Sequence, residues 1–107
     1  MGQKREFFRI SVERSGTVRR GADSAPCDVL DLTEKGVQLK TGLPVTVGET
    51  LELDFSLTKA RTIHCRIRVT RVSAPSVGAC VSDISPADQE QLSHFIEEVI
   101  ALNLGGF

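Results

Sequence analysis

Most of the chain alternates apolar and polar residues with a period of two, which is the pattern of half-buried β-strands. Residues 21–26, GADSAP, are predicted as a loop from their composition, and the stretch 43–49 with its proline and glycine is predicted as an irregular connection. The segments with strand character are residues 7–12, 27–32, 37–41, 51–57, 62–69 and 77–81. The pattern therefore predicts about six short antiparallel strands.

The period changes at Ser85, where the sequence Ser-Pro-Ala-Asp supplies an N-cap serine, a proline at the first helical position and an acid at the third. Gly105 and Gly106 predict the end of the helix, which we expect over 85–104. Its apolar stripe consists of Leu92, Phe95, Ile96, Val99 and Ile100. The predicted fold is thus mainly β: a six-stranded antiparallel barrel or strongly twisted sheet with one C-terminal helix packed on it.

The size of the chain corresponds to one domain, residues 1–107, with a mass of 11.6 kDa. No apolar run approaches the roughly 18 residues that a membrane-spanning helix needs, and the N-terminus is charged where a signal peptide would be apolar. We therefore expect a cytoplasmic protein without membrane insertion.

Charge is unevenly distributed, although the net charge is only -1. Six basic residues fall in the first twenty positions, no Lys or Arg follows Arg71, and the C-terminal third is acidic. Such a surface would repel a long polyanion, so a small, compact anion bound near the N-terminus is favoured over DNA or RNA. A barrel that binds single-stranded nucleic acid is the weaker alternative, because the chain has no Trp or Tyr to serve as stacking platforms.

Catalytic and metal-binding patterns are not legible in the sequence. The two histidines, His64 and His94, are predicted on the outer face of a strand and in the helix, away from a nucleophile or a second ligand type. Cys27, Cys65 and Cys80 lack a CxxC spacing and are expected to be reduced thiols. We expect no enzyme, no metal and no cofactor.

Two motifs rise above this background: KREFFR near the N-terminus and DLTEKG at 31–36. Together they resemble the signature of the PilZ family of bacterial cyclic di-GMP receptors, which is RxxxR, often after a basic residue, followed by [DN]xSxxG. The resemblance covers nearly all of the chain, and it implies the family's six-stranded barrel with a C-terminal helix. The matching residues are Arg5, Arg9 and the preceding Lys4, then Asp31, Thr33 and Gly36.

The first motif would supply the main contacts to the ligand. If the segment is extended, Arg5 and Arg9 point the same way about 13 Å apart, which is close to the span of a folded cyclic dinucleotide. A guanidinium can bind phosphate or the O6/N7 edge of guanine in bidentate fashion and can stack on a purine. We expect residues 1–9 to be a mobile basic arm. By the resemblance, a basic residue such as Lys4 favours two stacked ligand molecules.

The second motif would complete the pocket from a hairpin. Asp31 offers two acceptors to guanine N1–H and N2–H, Thr33 offers a hydroxyl, and Gly36 keeps the tip free of a Cβ atom. Gly36 is also expected to take a positive φ in the turn. Thr33 replaces the usual serine, and its extra methyl group bears on the affinity for the ligand.

The resemblance implies a stand-alone receptor in second-messenger signalling. Because no output domain is recognisable, an unidentified effector protein is expected as the partner, in motility, adhesion or exopolysaccharide production. The alternative is a PilZ-fold adaptor that works through protein contacts without the ligand.

Overall fold

The computed structural model describes residues 10–105, with side chains as far as Leu102. These residues form six strands and one helix. All strand pairs are antiparallel, and the sheet closes into a barrel in the order β1-β2-β3-β6-β5-β4, with β1 paired to β4. The predicted barrel is confirmed. The elements are β1 (Ile10–Arg20), β2 (Asp23–Leu32), β3 (Gly36–Thr41), β4 (Thr50–Thr58), β5 (Arg61–Ser73), β6 (Ser76–Ile84) and α1 (Pro86–Gly105).

The inward-facing apolar residues of the six strands form one core inside the barrel, as the alternation predicts. Leu92 and Ile96 of α1 are buried in the same core, with Phe95, Val99 and Ile100 packed against it. The predicted apolar stripe of the helix is therefore confirmed. The largest fully buried side chains are Val18, Val29, Leu32, Leu39, Leu51, Leu53, Leu57, Ile63, Ile67 and Val69.

The helix begins where the sequence predicts. The Ser85 hydroxyl accepts a hydrogen bond from the backbone N–H of Asp88 at 3.1 Å, and the Ser85 carbonyl accepts the N–H of Gln89 at 2.8 Å. The Asp88 carboxylate in turn accepts the backbone N–H of His64 on β5. Thus the first turn of α1 is capped and is tied to the barrel wall.

The loop predicted over 21–26 is wrong, because β2 already begins at Asp23. Only residues 21–22 form the turn, and β1 continues to Arg20 rather than ending at Val12. The cause is pairing with β1, which overrides the local composition. Pro26 fits in β2 because the β2–β3 pairing starts one residue later, at Cys27.

Among the described residues, no helix combines the length and the apolar character needed to cross a membrane.

Candidate functional site

A row of polar and glycine residues crosses the outside of five adjacent strands at one end of the barrel. In strand order the cross-strand partners are Ser11, Asp31, Gln38, Gly78 and Arg71. Thr33, which follows β2, and Gly36, which begins β3, lie beside this row. Both line a shallow depression of about 250 Å³ together with all members of the row except Ser11. The structure therefore brings the three residues of the second motif together at one place.

A β-bulge in β2 points Asp31 into the depression. Val29 pairs with Leu39 and Asp31 with Gln38, so Leu30 is an extra residue relative to β3. The bulge reverses the alternation, which lets Leu32 return to the core while Asp31 faces outward. The Ser11 hydroxyl donates a hydrogen bond of 3.1 Å to one carboxylate oxygen of Asp31. The carboxylate is thus held at the edge of the depression.

A second bulge, in β5, points Arg71 into the same depression. Val69 pairs with Ala79 and Arg71 with Gly78, so Thr70 is the extra residue. The Thr70 hydroxyl donates to the Gly78 carbonyl at 3.1 Å. Without the bulge Arg71 would face the core, because it lies two residues after the buried Val69. The two bulges therefore orient one acidic and one basic side chain toward the same surface.

The Thr33 hydroxyl holds the turn between β2 and β3. It accepts hydrogen bonds from the backbone N–H groups of Lys35 at 3.0 Å and Gly36 at 2.8 Å. The Lys35 carbonyl accepts the N–H of Val81, which ties the turn to β6. The first role of Thr33 is thus to shape the turn, and its methyl group is compatible with that role.

Gly36 is required by close packing and not by its backbone angle. The expected positive φ is wrong, since among the described glycines only Gly21 and Gly48 have one. A Cβ atom at Gly36 would lie 3.1 Å from the carbonyl oxygen of Ala79 on β6. The glycine therefore lets β3 approach β6 beside the depression.

Replacing Thr33 by valine should lower the free energy of unfolding by about 1–2 kcal/mol, because two backbone donors lose their acceptor at nearly constant shape. Thr33→Ser keeps the acceptor and should stay within about 0.5 kcal/mol of the parent. Urea denaturation of the three proteins measures the difference. Equal stability of the valine variant would contradict the structural role of the hydroxyl.

The first motif, Lys4, Arg5 and Arg9, lies outside the described residues. The sequence interpretation also missed Gln38, Thr70, Gly78 and Arg71 as part of the site. The available signal was the break in alternation at Thr70–Arg71, where two polar residues follow one another in a strand. Such a break indicates a bulge, and bulges occur often beside functional sites.

A second depression lies on the β4–β5 face near the start of α1 and is lined by charged residues. Arg19 forms ion pairs with Glu52 and Asp54, and His64 contacts Asp54. In the part of the chain that the structure describes, no group of three or more His, Cys, Asp or Glu side chains is placed to hold a metal. Most charged side chains of this face therefore form ion pairs, and the Asp88 carboxylate accepts the backbone N–H of His64.

The cysteines are free thiols with different exposure. Burial raises the pKa of Cys27 to about 11 and that of Cys65 to about 12. Both thiols are therefore protonated near neutral pH and are poor nucleophiles. Cys80 is exposed on β6.

Comparison with known proteins gives the family. The PilZ domain model matches residues 3–98. A search of curated proteins found no significant match. Among solved structures, the Bacillus subtilis inhibitor of motility (MotI/DgrA) is 19% identical with a TM-score of 0.77, covering 96% of this chain and 52% of that one.

Two structures of YcgR from Escherichia coli with c-di-GMP are also similar. One covers 97% of this chain and 49% of that chain, at 17% identity and a TM-score of 0.79. The other, its PilZ domain, covers 97% and 98% of the two chains, at 16% identity and a TM-score of 0.75. The chain spans about half the length of MotI and of the longer YcgR structure. These similarities establish the fold, and the match over residues 3–98 shows that the chain belongs to the PilZ domain family.

Proposed function

We propose that this protein is a receptor for cyclic di-GMP, which acts by binding the ligand and not by catalysis. The observation that carries the proposal is the convergence of Asp31, Thr33 and Gly36 on one depression. Asp, Thr and Gly are common in turns, and a purely structural role would not require them to share a surface. Here they line one depression together with Gln38 and Arg71.

The chemistry of the depression suits a guanine. The Asp31 carboxylate has acceptor positions for the N1–H and N2–H donors of the base, whereas adenine lacks both donors. Gly36 leaves part of the floor without a side chain, so that a planar base can come close to the backbone there. The carboxylate thus provides selectivity for guanine.

The size of the depression supports a site that the described residues only partly form. Its volume of about 250 Å³ is below the roughly 300–1,000 Å³ of complete small-molecule sites. Ile10 pairs with Leu32, directly before the turn. Arg9, the last residue of the RxxxR motif, is the residue before Ile10 in the sequence. We propose that Arg5 and Arg9 bind the phosphates there, with Lys4 favouring a second ligand molecule.

The similarity to YcgR supports the same ligand, since YcgR was solved with c-di-GMP. MotI is named an inhibitor of motility, which supports a role in motility. We propose that the output of ligand binding passes through a partner protein. Ligand binding would change the surface around the β2–β3 turn that the partner recognises.

Isothermal titration of the purified protein with cyclic di-GMP tests the proposal, with cyclic di-AMP and GTP as controls. We expect saturable binding that is selective for cyclic di-GMP, and the stoichiometry separates one ligand molecule from a stacked pair. No heat and no thermal shift at high micromolar ligand would overturn the proposal and favour a ligand-independent adaptor.

The Arg9→Ala variant should bind cyclic di-GMP at least tenfold more weakly, because a hydrogen bond to a charged group is worth about 1.5–3 kcal/mol. Lys59→Ala, which removes a positive charge from the β4–β5 turn, is the control for net charge and should bind like the parent. The same titration measures both variants. Unchanged affinity for Arg9→Ala would exclude Arg9 from the site.

A further inference from the structure

The side chain of Arg71 lies flat on the outer surface of the barrel. A Cβ atom built on Gly78 would be 3.6 Å from each of Cβ, Nε and Nη2 of Arg71. Both ends of the side chain are thus equally close to one point of the sheet, which means that the side chain extends along the surface over Gly78. The guanidinium lies beside the depression, which Arg71 lines together with Gly78 and Gln38.

Two features hold Arg71 in this position. The bulge at Thr70 turns the residue outward, and the Gln38 side-chain oxygen accepts a hydrogen bond from Arg71 Nη2 at 3.0 Å. Gln38 pairs with Asp31 on one side and Gly78 on the other. The guanidinium therefore reaches across Gly78 toward the strand that neighbours the Asp31 carboxylate.

The charge of Arg71 is not used in an ion pair within residues 10–105. Arg19, Arg20 and Arg66 all form ion pairs with carboxylates, whereas Arg71 bonds to a neutral amide. An exposed arginine that is held over a glycine by a neutral amide keeps its charge available to a ligand in the depression. This arrangement is suited to a purine, which stacks on guanidinium planes.

We propose that Arg71 is a specificity-determining residue of the site: its guanidinium stacks on one nucleobase of the ligand, while Asp31 accepts hydrogen bonds at the edge of that base. The inference rests on the proposed cyclic di-GMP site. It adds a contact from β5 to a site otherwise built from the N-terminal segment and the β2–β3 turn, and it assigns the glycine at position 78 the role of leaving room for the guanidinium.

Isothermal titration of Arg71→Ala and Arg71→Lys with cyclic di-GMP tests this contact, with Arg68→Ala as the matched control. Arg68 lies on the same strand and pairs with Cys80, outside the residues that line the depression. We expect about a tenfold loss of affinity for Arg71→Ala, because the loss of one stacking partner for a base typically costs at least that much. Arg71→Lys should lose nearly as much, because it keeps the charge without the plane, and Arg68→Ala should bind like the parent.

Near-ultraviolet circular dichroism of the bound ligand gives a second readout that a merely structural residue would not change. The chain has no Trp or Tyr, so the guanine bands can be followed with little protein background. At saturating ligand we expect a reduced induced signal in both Arg71 variants and an unchanged signal in Arg68→Ala. Thermal unfolding without ligand checks that every variant is folded.

The outcomes separate this inference from the proposed function. If the parent protein does not bind cyclic di-GMP, both fail. If the parent binds and Arg71→Ala binds equally well, only the role of Arg71 fails. Full affinity and an unchanged induced signal in Arg71→Lys would overturn the stacking assignment, because a positive charge alone would then suffice.

Discussion

The Asp31→Ala variant is expected to lose about 100-fold in affinity for cyclic di-GMP. Its carboxylate would accept two hydrogen bonds from one guanine, and together these contribute about 3 kcal/mol to binding. The structure favours a direct role because a bulge turns Asp31 outward and the Ser11 hydroxyl orients it. Isothermal titration of the variant and the parent measures the loss.

Asp28→Ala is the matched control for this prediction. Asp28 lies on the same strand, is exposed on the same outer face and pairs with Lys40, outside the residues that line the depression. It should bind like the parent. Asp31→Asn, which keeps one acceptor oxygen without the charge, should fall between the parent and Asp31→Ala. If Asp28→Ala and Asp31→Ala lost the same affinity, the loss would be an effect of net surface charge, and the direct role of Asp31 would be contradicted.

Gly16→Ala is expected to destabilise the protein by about 3 kcal/mol, at the upper end for overpacked interiors. Gly16 lies in β1 opposite Phe55 of β4, in the pair that closes the barrel. An added Cβ atom would collide with the backbone carbonyl oxygen of Asp54 and lie 2.9 Å from Phe55 Cβ. Backbone atoms held by the hydrogen bonds between two strands cannot move aside. The strands β1 and β4 must therefore separate at this point, which we call the β1–β4 seam.

Thermal unfolding of Gly16→Ala should show a Tm lower by roughly 10–20 °C. Gly42→Ala is the control, since nothing lies within 4 Å of a Cβ atom there and the backbone does not have a positive φ. Its stability should be equal or slightly higher, because alanine reduces the entropy of the unfolded chain. A Tm for Gly16→Ala within a few degrees of the parent would show that the β1–β4 seam is looser than the structure indicates.

The fold was largely predictable from the sequence. The alternation of Ile63, Ile67 and Val69 with polar neighbours assigned the inner and outer faces of β5 correctly, and the serine–proline start of the helix was read correctly as well. The boundaries were less predictable. The segment 23–26 looks like a loop by composition and becomes strand because β1 offers it hydrogen-bonding partners. Such partners are distant in sequence, and local propensity does not report them.

The candidate site was predictable only in part. The second motif named Asp31, Thr33 and Gly36, and all three line the depression. The reason for the glycine at position 36 was misjudged, because the contact with Ala79 depends on a strand that follows more than forty residues later. Arg71 was not considered, although the break in alternation marks it. The contributions of Arg5 and Arg9 stay predictions from their spacing.

The sequence by itself determined which residues face the core and which chemical groups the protein can present, because periodicity and residue type are local properties. Only the tertiary structure decided which of those groups meet. Asp31 and Arg71 are forty residues apart, and closure of the barrel with β3 and β6 between their strands places them on one surface. The two bulges then set their direction, since an extra residue in one strand reverses the alternation relative to its neighbour.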